Sequence, residues 1–186
     1  MIDYGFIAFP TGEERCLSKG QMLTDRMMDY LASKIMEGVG ATAGNYHYIP
    51  TFYHEIYGIN WSEYDAYTKT FAFLNHGNHW FLVVYESSSR VCHLYDPLPS
   101  PEESPVDVGQ IGGTIESYYD AIPNQGNSKT NCGVFCLLYF MLLWMERAVE
   151  FNVESRVVNT QIRPLLKNFL RDQISVNDLV SHVVVE

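Results

Sequence analysis

Apolar residues recur every three or four positions over 22–37, where Met22 and Leu23, Met27, Tyr30 and Leu31, and Ile35 fall on one face. That spacing predicts a first helix, with Thr24 or Asp25 available as its cap. Aromatic segments follow as far as Trp61, and from 70 to 96 the pattern changes. TFAFLN, a His-Gly-Asn turn, HWFLVVYE, a Ser-Ser-Ser turn and RVCHLYD predict three adjacent antiparallel strands, rich in Val, Phe, Tyr and Leu and reversed by small polar residues. The apolar run at 80–85 marks a central strand covered on both faces. A short helix is expected at 114–121. Residues 132–149 predict a long helix whose first turns are apolar almost all round, the mark of a core helix. Two amphipathic helices, near 160–172 and 175–183, close the chain. The fold class is α+β.

Composition bounds this picture without changing it. With 186 residues, 47% of them hydrophobic, the chain is read as one domain over 1–186. The Pro/Ser/Glu cluster DPLPSPEESP at 96–105 is short enough to be an exposed loop rather than a linker. A net charge of −10 argues against non-specific nucleic-acid binding, which needs clustered Lys and Arg, and makes basic peptides the better partners. The N-terminus reads as no secretory signal, and the nearly apolar run 132–145 is shorter than the about 20 residues that span a bilayer. Cys16, Cys92, Cys132 and Cys136 are expected as free thiols in a reducing, intracellular compartment.

The stretch NQGNSKTNCGVFCLLYF, 124–140, places Cys132 where a polar loop becomes the core helix. Asn131 is a good N-cap, so Cys132 and Gly133 would occupy the first turn, where free N–H groups and the helix dipole favour an anion. A thiolate in such a place is an activated nucleophile, whereas Cys136, one turn further on, is better read as core. A thiolate needs a proton shuttle, and HGNHW supplies His76 in the turn and His79 at the strand start. A base needs an orienting carboxylate, and Asp96 ends the next strand before Pro97. A hairpin about Ser87 to Ser89 would pair residues whose numbers sum to about 175, setting Asp96 directly across from His79. Gln125, seven residues before Cys132, is a neutral donor that could join the Cys132 backbone N–H in an oxyanion hole.

These residues carry a resemblance. The order His, Asp, Gln, Cys in NHWFLVVY, VCHLYDPL and NQGNSKTNCGVFC is similar to the papain-like cysteine peptidases that include adenain, the adenovirus maturation protease, and the ubiquitin-like-protein proteases. The adenain type is the nearer in its nucleophile loop, and the similarity covers roughly 75–140. It implies a central, mostly antiparallel sheet packed against helices, with the nucleophile at the N-terminus of the buried helix. It implies a cysteine endopeptidase with His79 as general base and acid, Asp96 as its orienter, Cys132 as nucleophile and Gln125 in the oxyanion hole. It also implies cleavage after small, Gly-rich residues in a narrow aromatic channel, with Trp80 as rim residue, and no cofactor. Relatives in viruses, virophages and mobile elements process capsid and core precursors, and cellular ones deconjugate ubiquitin-like modifiers. Adenain is basic and DNA-activated; this acidic chain fits a basic activating peptide better than DNA. The expected molecule is a monomer.

Three readings stand: a maturation endopeptidase of a virus or mobile element, a deconjugating protease for a ubiquitin-like modifier, and an inactive module that binds a peptide tail. Zinc is disfavoured because neither a Cys-x2-Cys pair nor His-Glu-x-x-His occurs, so no metal is expected. A P-loop is rejected because Ser128 stands where the glycine before Lys129 is required. GQIGGT at 109–114 lacks a preceding strand and reads as a loop.

Overall fold

The computed structural model describes residues 9–40, 44–51, 59–76, 78–98, 113–118, 122–126, 128–151 and 157–184. Two helices, α1 (Arg15–Lys19) and α2 (Asp25–Val39), precede strand β1 (Tyr46–Ile49). A 3-10 turn at Trp61–Tyr64 leads into β2 (Lys69–His76), β3 (His79–Glu86), β4 (Val91–Tyr95) and β5 (Thr114–Tyr118). Then come α3 (Cys132–Trp144), a π-helical turn at Val158–Ile162, α4 (Arg163–Leu170) and α5 (Val176–Val183). The loop expected at 96–105 lies outside the described residues beyond 98, as does 109–112 of GQIGGT.

The strands form one sheet in the order β1-β2-β3-β4-β5. β2, β3 and β4 pair antiparallel, as the alternating apolar segments required, while β1 and β5 run parallel to their neighbours at the two edges. The segment expected as a helix at 114–121 is therefore strand over 114–118, with 119–121 outside the described residues. Its Thr, Ile and Tyr suit a pleated surface. Parallel pairing with β4 sets Tyr118 beside Tyr95, where the rings stack at 4.9 Å.

Alternation along β3 sorts the core into two layers. Trp80, Leu82 and Val84 face α2 and α3 with Tyr48, Phe71 and Phe73, whereas Phe81, Val83 and Tyr85 join Ile49, Trp61, Cys92 and Leu94 behind the sheet. β3 is thus buried on both faces. α2 starts at Thr24, whose side chain accepts the Met27 N–H, and turns Met27, Met28, Leu31 and Ile35 inward. Its buried Asp29 takes Tyr48 Oη at 2.5 Å, the Thr51 N–H at 2.9 Å and Thr51 Oγ1 at 2.7 Å, which ties the helix to the end of β1.

α3 is the core helix foreseen, buried on every side from Cys132 to Leu142. It ends at Trp144 rather than 149 because Glu146 turns to φ 58°. The N–H groups of Glu146 and Arg147 then close back on the carbonyls of Leu143 and Leu142, an αL stop that leaves the charged residues outside. The closing helices lie where their periodicity placed them, and α5 opens on a capping box between Ser175 and Asp178.

Candidate active site

His79 is the first residue of β3, and Asp96 follows the last residue of β4. The hairpin between them pairs Glu86 with Val91 and Leu82 with Tyr95, a register sum of 177 instead of 175. The loop holds four residues, 87–90, because Arg90 takes a left-handed φ of 55° and adds length before pairing begins. Asp96 therefore stands beside Phe81 and reaches His79 along the diagonal, not directly across. A slip of two residues preserves the face, so the contact survives. Asp96 is wholly buried, and its Oδ1 accepts from His79 Nε2 at 2.7 Å and from the Leu98 N–H at 2.9 Å.

With Nε2 committed to Asp96, the imidazole has Nδ1 left for the Cys132 thiol, to which His79 is also hydrogen-bonded. Burial lowers the His79 pKa, but the hydrogen bonds to Asp96 and Cys132, and then their charges, outweigh it and raise it from 6.5 to about 9. The ring, stacked on Phe81 at a centroid distance of 6.4 Å, carries its proton most stably with an anion on either side. Such an arrangement can hold a thiolate beside an imidazolium and later return the proton to a leaving group.

Cys132 opens α3 and is 1% exposed. The approach of the helix start to the sheet depends on Gly133: a Cβ there would come within 3.1 Å of Trp80 Cδ1, 3.2 Å of Met28 Sδ and 3.3 Å of Leu23 Cβ. Asn131 occupies the N-cap position as expected, yet its side chain makes no cap hydrogen bond. Its Oδ1 accepts instead from Arg163, a buried residue at the start of α4. Sequence reasoning passed over Arg163. The available signal was its register, since 163, 166 and 170 fall on one helix face with Leu166 and Leu170, both buried.

Gln125 is buried, and its N–H donates to the carbonyl of Pro97 at 2.7 Å, which fastens the loop before α3 to the turn that carries Asp96. Its side-chain Oε1 has no hydrogen-bond partner among the described residues. A buried amide end without a partner is costly unless something else takes it up.

Trp80 is not at a rim. It is 2% exposed and its Nε1 donates to the Leu23 carbonyl at 2.9 Å, so the indole joins β3 to the entry of α2 as a structural wedge. His76, expected in the turn, is instead the last residue of β2, half-buried opposite His79 in the β2–β3 register. Cys16, Cys92 and Cys136 are buried free thiols, and burial pushes Cys92 up to about 12 and Cys136 well above its ordinary value. Among the described residues no group of three or more His, Cys, Asp or Glu is placed to hold a metal ion.

A single helix start, one strand start and one strand end thus bring together residues as much as 53 positions apart in the chain. Solved structures with the same arrangement of elements exist. The SUMO protease Ulp1, with its catalytic cysteine oxidised to a sulfenic acid, matches with a TM-score of 0.62 at 14% identity over 87% of this chain and 83% of that one. The chain has the Ulp1 fold. The C-terminal protease domain of Ulp1 in complex with Smt3, the yeast ortholog of SUMO, gives 0.59 at 15% identity over 86% of this chain and 81% of that one. A de-sumoylating protease gives 0.57 at 13% identity over 92% and 88%. No protein-family model and no curated protein matches the sequence.

Proposed function

We propose that the protein is a cysteine peptidase in which Cys132 is the nucleophile, His79 its general base and acid, Asp96 the orienter of His79, and Gln125 an oxyanion donor. The observation that carries this reading is the buried relay in which one imidazole joins the Asp96 carboxylate at 2.7 Å to the thiol at the start of α3. In the cycle, the sulfur attacks the carbonyl carbon of the scissile peptide while His79 holds the thiol proton. The developing oxyanion is met by the Cys132 backbone N–H and the Gln125 amide. His79 then protonates the departing amine, leaving a thioester on Cys132, and activates the water that hydrolyses it. Asp96 keeps the remaining proton on Nε2 and offsets the charge of the ring.

The substrate is a polypeptide cut after small, Gly-rich residues, as in the processing of a viral or mobile-element capsid or core precursor in an intracellular setting. A second reading, release of a ubiquitin-like modifier, is favoured by a specific observation: the fold is that of Ulp1, one of whose structures contains Smt3. A panel of fluorogenic substrates separates the two. Turnover of Gly-rich internal peptides with no preference for modifier C-termini supports the first, strong preference for one folded modifier supports the second, and no turnover of either overturns the peptidase assignment.

A further inference from the structure

Arg163 is 0% exposed, and its hydrogen-bond acceptors among the described residues are all oxygens of neutral groups. Nη1 donates to the Cys16 carbonyl at 3.1 Å, Nη2 to the Thr130 carbonyl at 2.7 Å, and Nη2 and Nε to Asn131 Oδ1 at 3.1 and 3.4 Å. Two of these three acceptor residues are the ones that deliver Cys132. No carboxylate among the described residues stands within ion-pair distance of the guanidinium. Burial lowers its pKa from the ordinary arginine value, and the opposing charges are those of Cys16 and Cys132. A buried cation lacking a carboxylate is costly to hold, and the cost falls when an anion forms beside it.

The second consequence is geometric. Because Asn131 Oδ1 is taken by Arg163, the cap side chain is drawn away from the first turn of α3. The N–H groups there stay open to a negative charge on substrate or sulfur.

We propose that Arg163 is a positioning residue for the nucleophile: it clamps the Thr130-Asn131 turn to α1 and keeps a permanent positive charge behind the sulfur of Cys132. The assignment rests on the reading of Cys132 as nucleophile and extends it to a residue that touches neither substrate nor reacting atoms. Lys167, further along α4, and Arg171, just past its end, make exposed contacts, with Ser18 and Glu14, and do not share the role.

The test is the rate of iodoacetamide labelling of Cys132 at pH 7, located by mass spectrometry, in the unaltered protein, Arg163→Lys and Arg163→Gln, each checked for folding by circular dichroism. Loss of the charge in Arg163→Gln slows labelling by about tenfold, whereas Arg163→Lys, which keeps the charge without the planar fork, stays within about threefold of the unaltered rate. An arginine that only supports the fold lowers Tm in both variants and leaves both labelling rates unchanged, and that result overturns the proposal. If Arg163→Gln does not fold, Asn131→Ala decides, since it removes one acceptor and keeps the charge. Slowing by about threefold supports the clamp, and the unaltered rate overturns it. Should Cys132 of the unaltered protein label no faster than Cys16, the peptidase reading fails and this proposal with it. Fast labelling that the variants share removes only the role of Arg163.

Discussion

The backbone N–H of Gln125 donates to the carbonyl of Pro97 at 2.7 Å, so the loop that precedes Cys132 is bolted to the turn that carries Asp96. The bond holds whatever side chain stands at 125, which allows the amide to be tested apart from the loop. Gln125→Ala lowers kcat by about 100-fold to 1000-fold, the range for losing one oxyanion donor, and leaves KM within a few-fold. Steady-state kinetics on a fluorogenic peptide check it. An unchanged kcat would make Gln125 a loop residue only.

The raised pKa of His79 makes a statement about stability as well as rate. Its protonated form is bound more tightly in the folded chain than in the unfolded one, where the value is 6.5. The stabilisation is therefore complete below pH 6.5 and is lost as pH climbs through about 9. Thermal melts between these limits should show Tm falling more steeply in the unaltered protein than in His79→Gln, and kcat/KM should decline on an alkaline limb near 9. Parallel Tm profiles for the two proteins contradict the ion-pair description.

Asp96→Asn keeps the shape of the side chain and an oxygen for the Leu98 N–H, but removes the charge that offsets the imidazolium. The variant loses at least about 100-fold in kcat with KM little changed, because an amide no longer holds the ring in the tautomer and orientation that carry the proton from the thiol to the leaving amine. If kcat holds, Asp96 merely starts the turn before Pro97.

At Gly133 the effect is on packing. A methyl group there meets Trp80, Met28 and Leu23 at 3.1 to 3.3 Å, tighter than ordinary contact. Gly133→Ala is expected to cost about 1–3 kcal/mol by urea unfolding and to shift the start of α3, reducing labelling of Cys132 along with stability. A stability equal to that of the unaltered protein would mean the neighbours yield freely.

The central three strands were legible because their Phe, Val and Tyr residues sit between small polar turns. β1 and β5 were not: β1 is four residues inside a tyrosine-rich stretch, and β5, largely exposed at an edge, lacks the apolar run that signals a buried strand. Of the candidate site, His79, Asp96 and Cys132 could be named because each stands at an element boundary marked by composition, and Gln125 because it lies in the loop that leads to Cys132; the structure brings His79, Asp96 and Cys132 into hydrogen-bonded reach. The hairpin register was two residues off because Ser-Ser-Ser-Arg does not declare that Arg90 will adopt a left-handed conformation. Trp80 was misplaced for a related reason. Strand parity decides which layer a side chain enters, and an even-numbered residue of β3 turns toward α2 and α3. Arg163 was hidden because a single basic residue on an amphipathic helix reads as solvated unless its three neighbouring acceptors are known.

The most direct measurement is the site of covalent capture. A glycine-ended peptide carrying a vinyl ester electrophile is incubated with the protein, Cys132→Ala and His79→Ala, and the adduct is mapped by mass spectrometry. One adduct on Cys132, absent from Cys132→Ala and strongly slowed in His79→Ala while both variants stay folded, is the predicted result. Capture on Cys16, Cys92 or Cys136 instead, or equal capture in His79→Ala, contradicts the account.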